Sequence, residues 1–287
     1  MKELRVLVLA CDGLYQRHLV HRASQAFTLC GVVVQHNPAA RGTLAARLWR
    51  LRNPLRLIRH VIARIAQGRN ERAVQKLVRE LFDGDDMPAA PAGVPLLETQ
   101  DINAAPTVAF IKDCNPEIVL VNGTNLLREP LLTIGDTLPH GIINLHTGLS
   151  PYSRGGYCNL YMLLGGKPEM VGATVHHIDR GIDSGDIILS SQIVMHPKDT
   201  FEEIEVRTFH TGIDMLLTAA RQLAMQSAAR VAQWEEGKLF LRRTGYVYEP
   251  WQTVLVNRLL AKGLVKDYLA DKARRDAAVR TVGEVGR

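Results

Sequence analysis

Cysteine, aromatic residues and long apolar runs are all scarce in this sequence of 287 residues. The four cysteines (Cys11, Cys30, Cys114 and Cys158) are scattered without a C-x-x-C spacing, which argues against a zinc knuckle or a disulfide framework. No apolar stretch approaches the roughly 20 residues that a bilayer-spanning helix needs. The N-terminal MKELR carries charges before only a short apolar run, unlike a secretory signal. We therefore expect a cytoplasmic protein without a membrane span.

Hydrophobic residues make up 46% of the chain, which is typical of a globular protein, and they recur in a regular alternation. Short apolar runs rich in β-branched residues occupy positions 4–10, 31–37, 116–123 and 141–146. Helix-compatible stretches lie between the first two runs and before the third. This rhythm predicts a parallel, doubly wound α/β sheet. Such a sheet places its functional site where the strands end at their carboxyl edge.

The second half of the chain has a different pattern. Apolar runs at 172–179 and 186–194 are joined by a connection too short for a helical crossover, so they predict an antiparallel hairpin. Thr200, followed three residues later by Glu203, forms the capping-box pattern that starts a long amphipathic helix. We predict a further strand within 237–248 and a helical tail from Trp251 to Arg275.

The net charge of +6 belongs to one segment of the chain. Between Arg41 and Arg79 there are eleven Lys or Arg residues and one acidic residue, a local charge of +10, which leaves −4 for the rest. Asn53-Pro54 interrupts an apolar pattern in this segment and predicts two consecutive helices. The apolar residues recur at alternating spacings of four and three, typical of one helix face: Leu44, Leu48, Leu51, Leu55, Ile58, Ile62 and Ile65.

The simplest interpretation of this basic segment is a helical insertion whose apolar stripe packs on the main domain while its arginines are solvated. A phosphate-binding surface for a charged substrate, a helix that binds a protein partner, and contact with anionic lipid are the alternatives. Trp49 is the only aromatic residue between Phe27 and Phe82, so the sequence shows no stacking platform for single-stranded nucleic acid.

Asn144 and His146 stand two residues apart at the end of the fourth predicted strand. Alone, this N-x-H pair is a weak signal, because a histidine at a strand end is often held by a backbone partner. Asp183 lies on a later loop, from which a carboxylate could reach across a cleft to orient the imidazole and tune its pKa. Asn144 offers a neutral donor to a developing oxyanion. The three side chains together suit acyl transfer to an amine.

No nucleophile for a covalent intermediate is evident in the sequence. Cys158 lies where a helix is predicted to start, and neither Ser150 nor Ser153 has a G-x-S-x-G setting. Direct attack by a substrate amine is therefore favoured over an acyl-enzyme.

A metal site would have to gather His146, Asp183 and the adjacent pair His176 and His177. Adjacent residues of a strand point to opposite faces, so at most one of that pair could join the others. We therefore predict no metal site.

These residues resemble a known family, the folate-dependent formyltransferases, which include methionyl-tRNA, phosphoribosylglycinamide and sugar N-formyltransferases. The resemblance covers about residues 116–223 well, and the first strand and helix loosely. The family pattern N-x-H, then x-S-L-L-P-x-x-(R/K)-G, is met by Asn144, His146, Leu149, Pro151, Arg154 and Gly155, whereas Gly148 and Ser150 depart from it. Its later T-V-H and V-D-x-G are met by Thr174, Val175 and His176, and by Ile182, Asp183 and Gly185.

The resemblance implies a Rossmann-like formyltransferase fold with a mostly parallel sheet. We expect a catalytic domain over 1–228, with the basic helical insertion at about 40–82, and a small C-terminal extension over 229–287 made of a strand plus helices. The implied reaction moves a formyl group from the co-substrate 10-formyltetrahydrofolate to a primary amine. Asn144 and His146 would stabilise the oxyanion, and Asp183 would steer His146 and help to deprotonate the amine. The implied pterin pocket is formed by Asn122, Gly123, Thr124, Asn125, Leu126, Leu127, Asp179 and Ile182.

The acceptor is inferred by elimination. The tRNA-specific members resemble one another in a C-terminal β-barrel, whereas residues 230–287 are mostly helix-forming here, so tRNA is not expected. The purine-pathway members are shorter and lack the basic insertion. A small amine-bearing metabolite remains, with a nucleotide-linked amino sugar as the favoured candidate, whose phosphates Arg154 or the insertion could meet. A homo-oligomer is compatible with the sequence.

Three other functions stay open at this stage. Folate deformylases share the Asn, His and Asp set and deliver water to the formyl group, but they resemble one another in an extra N-terminal regulatory domain. Formylation of methionyl-tRNA is the second alternative. The third is a non-catalytic protein that uses the basic helices to hold nucleic acid or a membrane surface.

Overall fold

The computed structural model describes residues 4–36, 54–82 and 87–283. Its strands are β1 (Arg5–Cys11), β2 (Thr28–Gln35), β3 (Leu96–Thr99), β4 (Ile118–Asn122), β5 (Ile142–His146), β6 (Ser153–Gly155), β7 (Gly172–His177), β8 (Ile187–Gln192) and β9 (Lys238–Phe240). Its helices are α1 (Leu14–Ala26), α2 (Pro54–Leu81), α3 (Ala105–Cys114), α4 (Leu131–Thr137), α5 (Cys158–Leu164), α6 (Phe201–Ala224), α7 (Pro250–Ala261), α8 (Leu264–Ala270) and α9 (Lys272–Asp276).

A seven-stranded sheet in the order β3-β2-β1-β4-β5-β7-β8 forms the centre of the fold. The first five of these strands run parallel, whereas β7 pairs antiparallel with both β5 and β8. The doubly wound α/β fold and the antiparallel hairpin predicted from the sequence are therefore confirmed. The carboxyl ends of β4 and β5, which carry the predicted site residues, lie side by side at one edge of this sheet.

The apolar runs of the parallel strands are continuous because both faces of the sheet are covered. In β1, Val6 and Val8 belong to one buried cluster, whereas Leu7 and Leu9 belong to another on the opposite face. This alternation explains why nearly every residue of β1 is apolar, in contrast to a strand with one solvated face.

The long helix α6 starts at the predicted capping box. The Glu203 backbone N–H donates to the Thr200 hydroxyl at 3.3 Å, and the Thr200 backbone N–H donates to the Glu203 carboxylate at 2.8 Å. The helix then packs on β5 and β7, where a Cβ at Gly212 would lie 2.5 Å from Leu145. The sheet edge that carries His146 is therefore supported from behind by a closely packed helix.

The basic segment is described only from residue 54 onward, where Pro54–Leu81 form α2. The predicted helix before it lies outside the described residues. The expected packing of the apolar stripe was wrong for the part of it in α2, because four side chains there are between 44% and 64% exposed: Leu55, Ile58, Ile62 and Ile65.

Another face of α2 packs against α6 and α7. Ala63 and Val78 are buried on that face, and the Arg59 guanidinium lies 5.1 Å from the ring centroid of Trp251. Spacing of three and four residues identifies a face of a helix but not the partner of that face, which explains the error.

The region after α6 is joined to the sheet by backbone pairing. Val231 and Ile187 exchange backbone hydrogen bonds of 2.8 and 3.0 Å. Strand β9 pairs in parallel with β6, at the loop that follows β5. The strand predicted within 237–248 is shorter than expected, since residues 242–244 form a 3-10 turn, and the helical tail is confirmed as α7, α8 and α9.

Candidate active site

Asn144 and His146 lie on the same face at the end of β5. Residues two apart on a strand share a face, and the antiparallel register places His176 of β7 directly opposite Asn144. The side chain of His146 is 6% exposed and that of His176 is 3% exposed. Three polar side chains are thus held together at a largely buried sheet edge.

Asp183 reaches this group from the loop between β7 and β8. One carboxylate oxygen lies 3.4 Å from Nδ1 of His146, and the other lies 3.5 Å from Nε2 of His176. The backbone N–H of Gly155 donates to the same carboxylate at 2.9 Å. We call Asn144, His146, His176 and Asp183 the polar cluster. Its members come from three separate segments of the chain, and the structure brings the predicted Asn144, His146 and Asp183 into it.

The backbone of Asp183 is in the left-handed region, with φ at 47°. Non-glycine residues rarely adopt this conformation unless the surrounding structure enforces it, and such residues concentrate at functional sites. Here the conformation directs the carboxylate inward, toward the two imidazoles.

Hydrogen bonding defines the proton positions on His146. Its Nε2 lies 3.1 Å from the Ser153 carbonyl, which only accepts, so Nε2 carries the proton. In the neutral ring the lone pair is then on Nδ1, the nitrogen that faces Asp183. A second proton on Nδ1 would produce an imidazolium beside a carboxylate, which is an arrangement suited to a general base.

Burial and charge shift the pKa values of His146 and Asp183 in opposite directions. Burial lowers the pKa of His146, and the Asp183 carboxylate offsets part of this effect. Burial alone would raise the pKa of Asp183, but His146, His176 and the Gly155 N–H outweigh it and hold that pKa well below its usual range. Near neutral pH the cluster therefore holds an ionised carboxylate beside a neutral imidazole.

His176 is the member of the cluster whose role sequence reasoning missed. Its Nδ1 lies 2.8 Å from the His177 carbonyl and therefore carries a proton, which leaves Nε2 of the neutral ring as an acceptor. The Asn144 amide donates to that Nε2 at 3.2 Å. His176 thus orients the amide of Asn144. The register of β7 against β5 brings His176 opposite Asn144, whereas the T-V-H motif shows only where His176 lies in the sequence.

His177 faces away from the polar cluster. It lines a separate cavity near Asp136 and Arg230, and burial, with Arg230 adding to it, lowers the pKa of His177 to about 4. Across the described parts of the chain, no group of three or more His, Cys, Asp or Glu residues has a metal-binding arrangement.

A cavity opens directly beside the polar cluster. Five of the eight residues predicted to bind folate line it: Thr124, Asn125, Leu126, Leu127 and Asp179. Asn144, His176 and Asp183 contribute polar atoms to the same wall. The cavity therefore combines aliphatic surface from the loop after β4 with the polar groups of the site. Leu126 is 52% exposed, so its aliphatic surface is accessible from the cavity.

The other three predicted folate residues lie outside this lining. Asn122 accepts from Gln16 at 2.7 Å and donates to the Leu145 carbonyl at 3.0 Å, so it ties β4 to α1 and β5. A Cβ at Gly123 would lie 2.8 Å from the Cys11 sulfur. Ile182 is half-buried in the loop before Asp183. Asn122 and Gly123 shape the turn that presents the cavity wall.

The loop after β5 is held by Thr174. The Thr174 hydroxyl donates to the Gly148 carbonyl at 2.8 Å and accepts from the Ser150 backbone N–H at 2.9 Å. Cys158 closes the loop from behind as the first residue of α5, where burial raises the pKa of its thiol strongly. A thiolate is the reactive form of cysteine, so this burial argues against Cys158 as a nucleophile.

Gln233 holds the Asp183 loop from the region after α6. Its side-chain amide donates to the Asp183 carbonyl at 2.8 Å and to the Gly185 carbonyl at 3.0 Å. Both bonds fix the backbone on either side of Ser184, next to the left-handed Asp183. Sequence reasoning did not find Gln233, because nothing in its surroundings signals a contact with a loop 50 residues earlier.

Replacing Gln233 with Ala should lower the turnover of the site about tenfold. Two hydrogen bonds, each contributing about 1 kcal/mol, would be lost, and the Asp183 carboxylate would sample positions away from His146. The acid limb of the pH–rate profile should also move, because the carboxylate influences the pKa of His146. Glu236→Ala, an exposed change in the same segment, serves as the control. Equal losses of thermal stability with unchanged turnover and pH profile would contradict the positioning role.

Comparison with known proteins matches this architecture to one family. A family model described as formyl transferase matches residues 66–220, about half of the chain. Methionyl-tRNA formyltransferases from Syntrophus aciditrophicus and Geobacter metallireducens are 29% and 30% identical over 140 and 142 residues. These alignments cover 49% of this chain and 44% of each relative, so the chain spans less than half of their length.

Solved structures share the fold. A phosphoribosylglycinamide formyltransferase from Anaplasma phagocytophilum superposes with a TM-score of 0.53 at 19% identity, covering 83% of this chain and 99% of that one. A sugar N-formyltransferase from a Shewanella species gives a TM-score of 0.51 at 17% identity, covering 90% and 86%. At these identities the likeness concerns the fold.

Proposed function

The chain belongs to the formyl transferase family, and we propose that it transfers a formyl group from 10-formyltetrahydrofolate to a primary amine of a small metabolite. The observation that carries this proposal is the polar cluster beside the cavity after β4, because it supplies an amide donor, a neutral imidazole and an ionised carboxylate at one place. Acyl transfer to an amine requires these three functions.

The folate co-substrate fits the composition of the cavity. Leu126 and Leu127 offer aliphatic surface to a flat ring system, and Asn125 and Asp179 add polar groups at the rim. Folate would bring the formyl carbon, and the polar cluster would act on it. Leu126 is accessible in this cavity, so a bound ring could pack on its side chain.

The residues of the cluster then have separate roles. Asn144 has a second amide N–H besides the one directed at His176, and this N–H would stabilise the formyl oxygen as it gains negative charge. His146 would accept the proton of the attacking amine at Nδ1, and Asp183 would stabilise the resulting imidazolium. As the new C–N bond forms and the bond to folate breaks, the same proton can pass from His146 to the departing nitrogen.

Two features favour an acceptor that carries a nucleotide. Tyr157 stacks on Tyr248 with ring centroids 4.1 Å apart and an interplanar angle of 10°, and Tyr157 remains 52% exposed, so it offers an aromatic face to a base. Nε of Arg154 is buried and has no hydrogen-bond partner among the described residues. Arg154 precedes Gly155, the residue that binds Asp183, so an anionic group there would lie near the site. A nucleotide-linked amino sugar provides the base, the phosphates and the amine.

The test is to incubate the protein with 10-formyltetrahydrofolate and a panel of acceptors. The panel contains nucleotide-linked amino sugars, the matching free amino sugars, glycinamide ribonucleotide, methionyl-tRNA and a reaction without amine. We expect tetrahydrofolate release and a formylated product, by mass spectrometry, only with amines, and the highest kcat/KM with a nucleotide-linked amino sugar. Formate release at the same rate without amine would instead identify a hydrolase.

Methionyl-tRNA is the second candidate acceptor, because the curated relatives in the comparison carry that name. The same panel separates the two candidates. A kcat/KM for methionyl-tRNA above that of every small amine would overturn the small-metabolite assignment while leaving formyl transfer intact.

A further inference from the structure

The first three turns of α2 expose an unusual concentration of large aliphatic side chains. We define the apolar face as Leu57, Ile58, Val61, Ile62 and Ile65, whose exposed fractions lie between 44% and 57%. Single exposed aliphatic residues are ordinary on a protein surface, but five within nine positions form a contiguous patch of the kind that marks an interaction site.

The orientation of the helix directs this face away from the other described parts of the protein. With 3.6 residues per turn, all five positions lie on the side of α2 opposite Ala63, which is fully buried. Arg59 holds the helix against α7 through its contact with Trp251. Since α2 is packed through its other side, the outward direction of the apolar face is fixed by the fold.

Basic residues accompany the apolar face along α2. Arg64 is exposed beside it, and Lys76, which pairs with Glu80 at 3.7 Å, and Arg79 are exposed on the same side of the helix about three to four turns further on. The whole segment from 41 to 79 carries eleven basic residues and one acidic residue, whereas the rest of the chain carries a net −4. The excess of basic residues therefore lies in the segment that contains the apolar face.

We propose that the apolar face and the basic residues of α2 bind the surface of an anionic lipid bilayer. A helix that lies in the bilayer interface places aliphatic side chains at the boundary of the acyl chains while its Lys and Arg residues meet anionic headgroups. The proposed contact is peripheral, with α2 lying along the bilayer surface. No helix in the described parts of the chain is long and apolar enough to cross a membrane.

Two other occupants of the apolar face are a second copy of the chain and a nucleic acid, and the charge and apolar surface of α2 favour the bilayer over both. A second copy docked through the same face would bring two strongly basic segments together, and their repulsion would oppose the dimer. A nucleic acid would satisfy the arginines, but its binding rests on phosphate contacts and gains little from Leu, Ile and Val side chains. An anionic bilayer matches both the charge and the apolar surface.

The experiment is co-sedimentation of the full chain with lipid vesicles. One set contains phosphatidylcholine alone, and the other also contains about 30 mol% phosphatidylglycerol. We expect at least about tenfold tighter binding to the anionic set, and weaker binding when the ionic strength rises from about 0.1 M to about 0.5 M. Vesicle binding is measured without formyl transfer, so this test and the test of the proposed function can fail independently.

Variants separate the contribution of the apolar side chains to vesicle binding from that of the basic side chains. The double change Ile58→Ser with Ile62→Ser should weaken binding to anionic vesicles at least about tenfold without altering net charge. Arg64→Gln with Arg79→Gln should reduce the salt dependence. Val194→Ser removes an aliphatic side chain that is 69% exposed and lies outside α2, so it should leave binding unchanged. Circular dichroism checks that each variant is folded.

Three outcomes would overturn the proposal. Equal affinity for the two vesicle sets, or no sedimentation with either, would remove lipid as the occupant. A concentration-dependent dimer in analytical ultracentrifugation that the Ile58 and Ile62 changes abolish would assign the face to a second copy. RNA binding that falls with salt and survives those two changes, together with absent vesicle binding, would assign the basic residues to nucleic acid.

Discussion

Replacing Asp183 with Asn should lower kcat for formyl transfer by about a thousandfold, within the range that general acid–base groups contribute. The amide keeps the size of the side chain but removes the charge that stabilises a protonated His146, whose Nδ1 lies 3.4 Å away. Its NH₂ group could also turn toward Nδ1 and occupy the lone pair that accepts the proton. KM for the folate should change little, because the cavity wall keeps its aliphatic residues.

The pH dependence of the rate provides a second test of Asp183→Asn, because the direction in which its acid limb should shift is defined. In the wild type, the rate should fall as the pH drops through the pKa of His146, which burial places below its usual value, because the protonated ring cannot accept another proton. The Asp183 carboxylate raises that pKa, so Asp183→Asn should move the acid limb to lower pH. Asp186→Asn removes a charge three residues away that pairs with Arg230 and serves as the control. Near-normal turnover in Asp183→Asn, or an acid limb shifted upward, would contradict the assigned role.

Local patterns in the sequence predicted the elements that place the site. The alternation of apolar runs gave the parallel strands β1, β2 and β4, because residues buried on both faces leave a continuous signal in the chain. The short connection between the runs at 172–179 and 186–194 gave the antiparallel hairpin of β7 and β8. The capping box at Thr200 gave the start of α6.

Several contacts between distant segments were beyond such reasoning. The pairing of β6 with β9 joins residues more than 80 positions apart; β9 lies within the strand predicted at 237–248, but β6, with three residues, is too short to leave a periodic signal. The contact between Asn144 and His176 depends on the register of β7 against β5, since a shift by one residue would turn His176 to the other face. The link from Gln233 to the Asp183 loop likewise exists only in the folded chain.

Because these contacts exist only in the folded chain, the motifs alone do not show which residues orient the site. The motifs contain Asn144, His146 and Asp183, which meet the reacting groups in the proposed mechanism, and they also contain His176 and Gly155 without revealing the contacts of these two residues. The groups that orient the first three are His176, Gly155 and, outside the motifs, Gln233. The last of these lies in the region expected to be a C-terminal extension. That region therefore contacts the Asp183 loop directly, and its removal should disturb the proposed catalysis as well as stability.

Replacing Gly148 with Ala should reduce turnover by about one to two orders of magnitude, the second-largest effect that we expect. A Cβ at this position would lie 2.4 Å from Nε2 of His146 and 2.6 Å from Cβ of Cys158. Neither neighbour can yield easily, because the His146 ring is held between Asp183 and the Ser153 carbonyl and Cys158 is fully buried in α5.

The expected consequence is a displaced imidazole. If the ring moves away from the added methyl group, Nε2 loses the Ser153 carbonyl, and the tautomer that leaves Nδ1 free to accept a proton is no longer favoured. Turnover and the pH–rate profile should both change, whereas folate binding, measured by fluorescence titration, should be retained. Gly156→Ala is the matched control in the same loop, since a Cβ there meets no atom within 4 Å. Equal kcat values for Gly148→Ala and Gly156→Ala would contradict this prediction, because the loop and not the His146 ring would then move to make room for the methyl group. In that case the glycine at position 148, where the family pattern has serine, would have no effect on the placement of the imidazole.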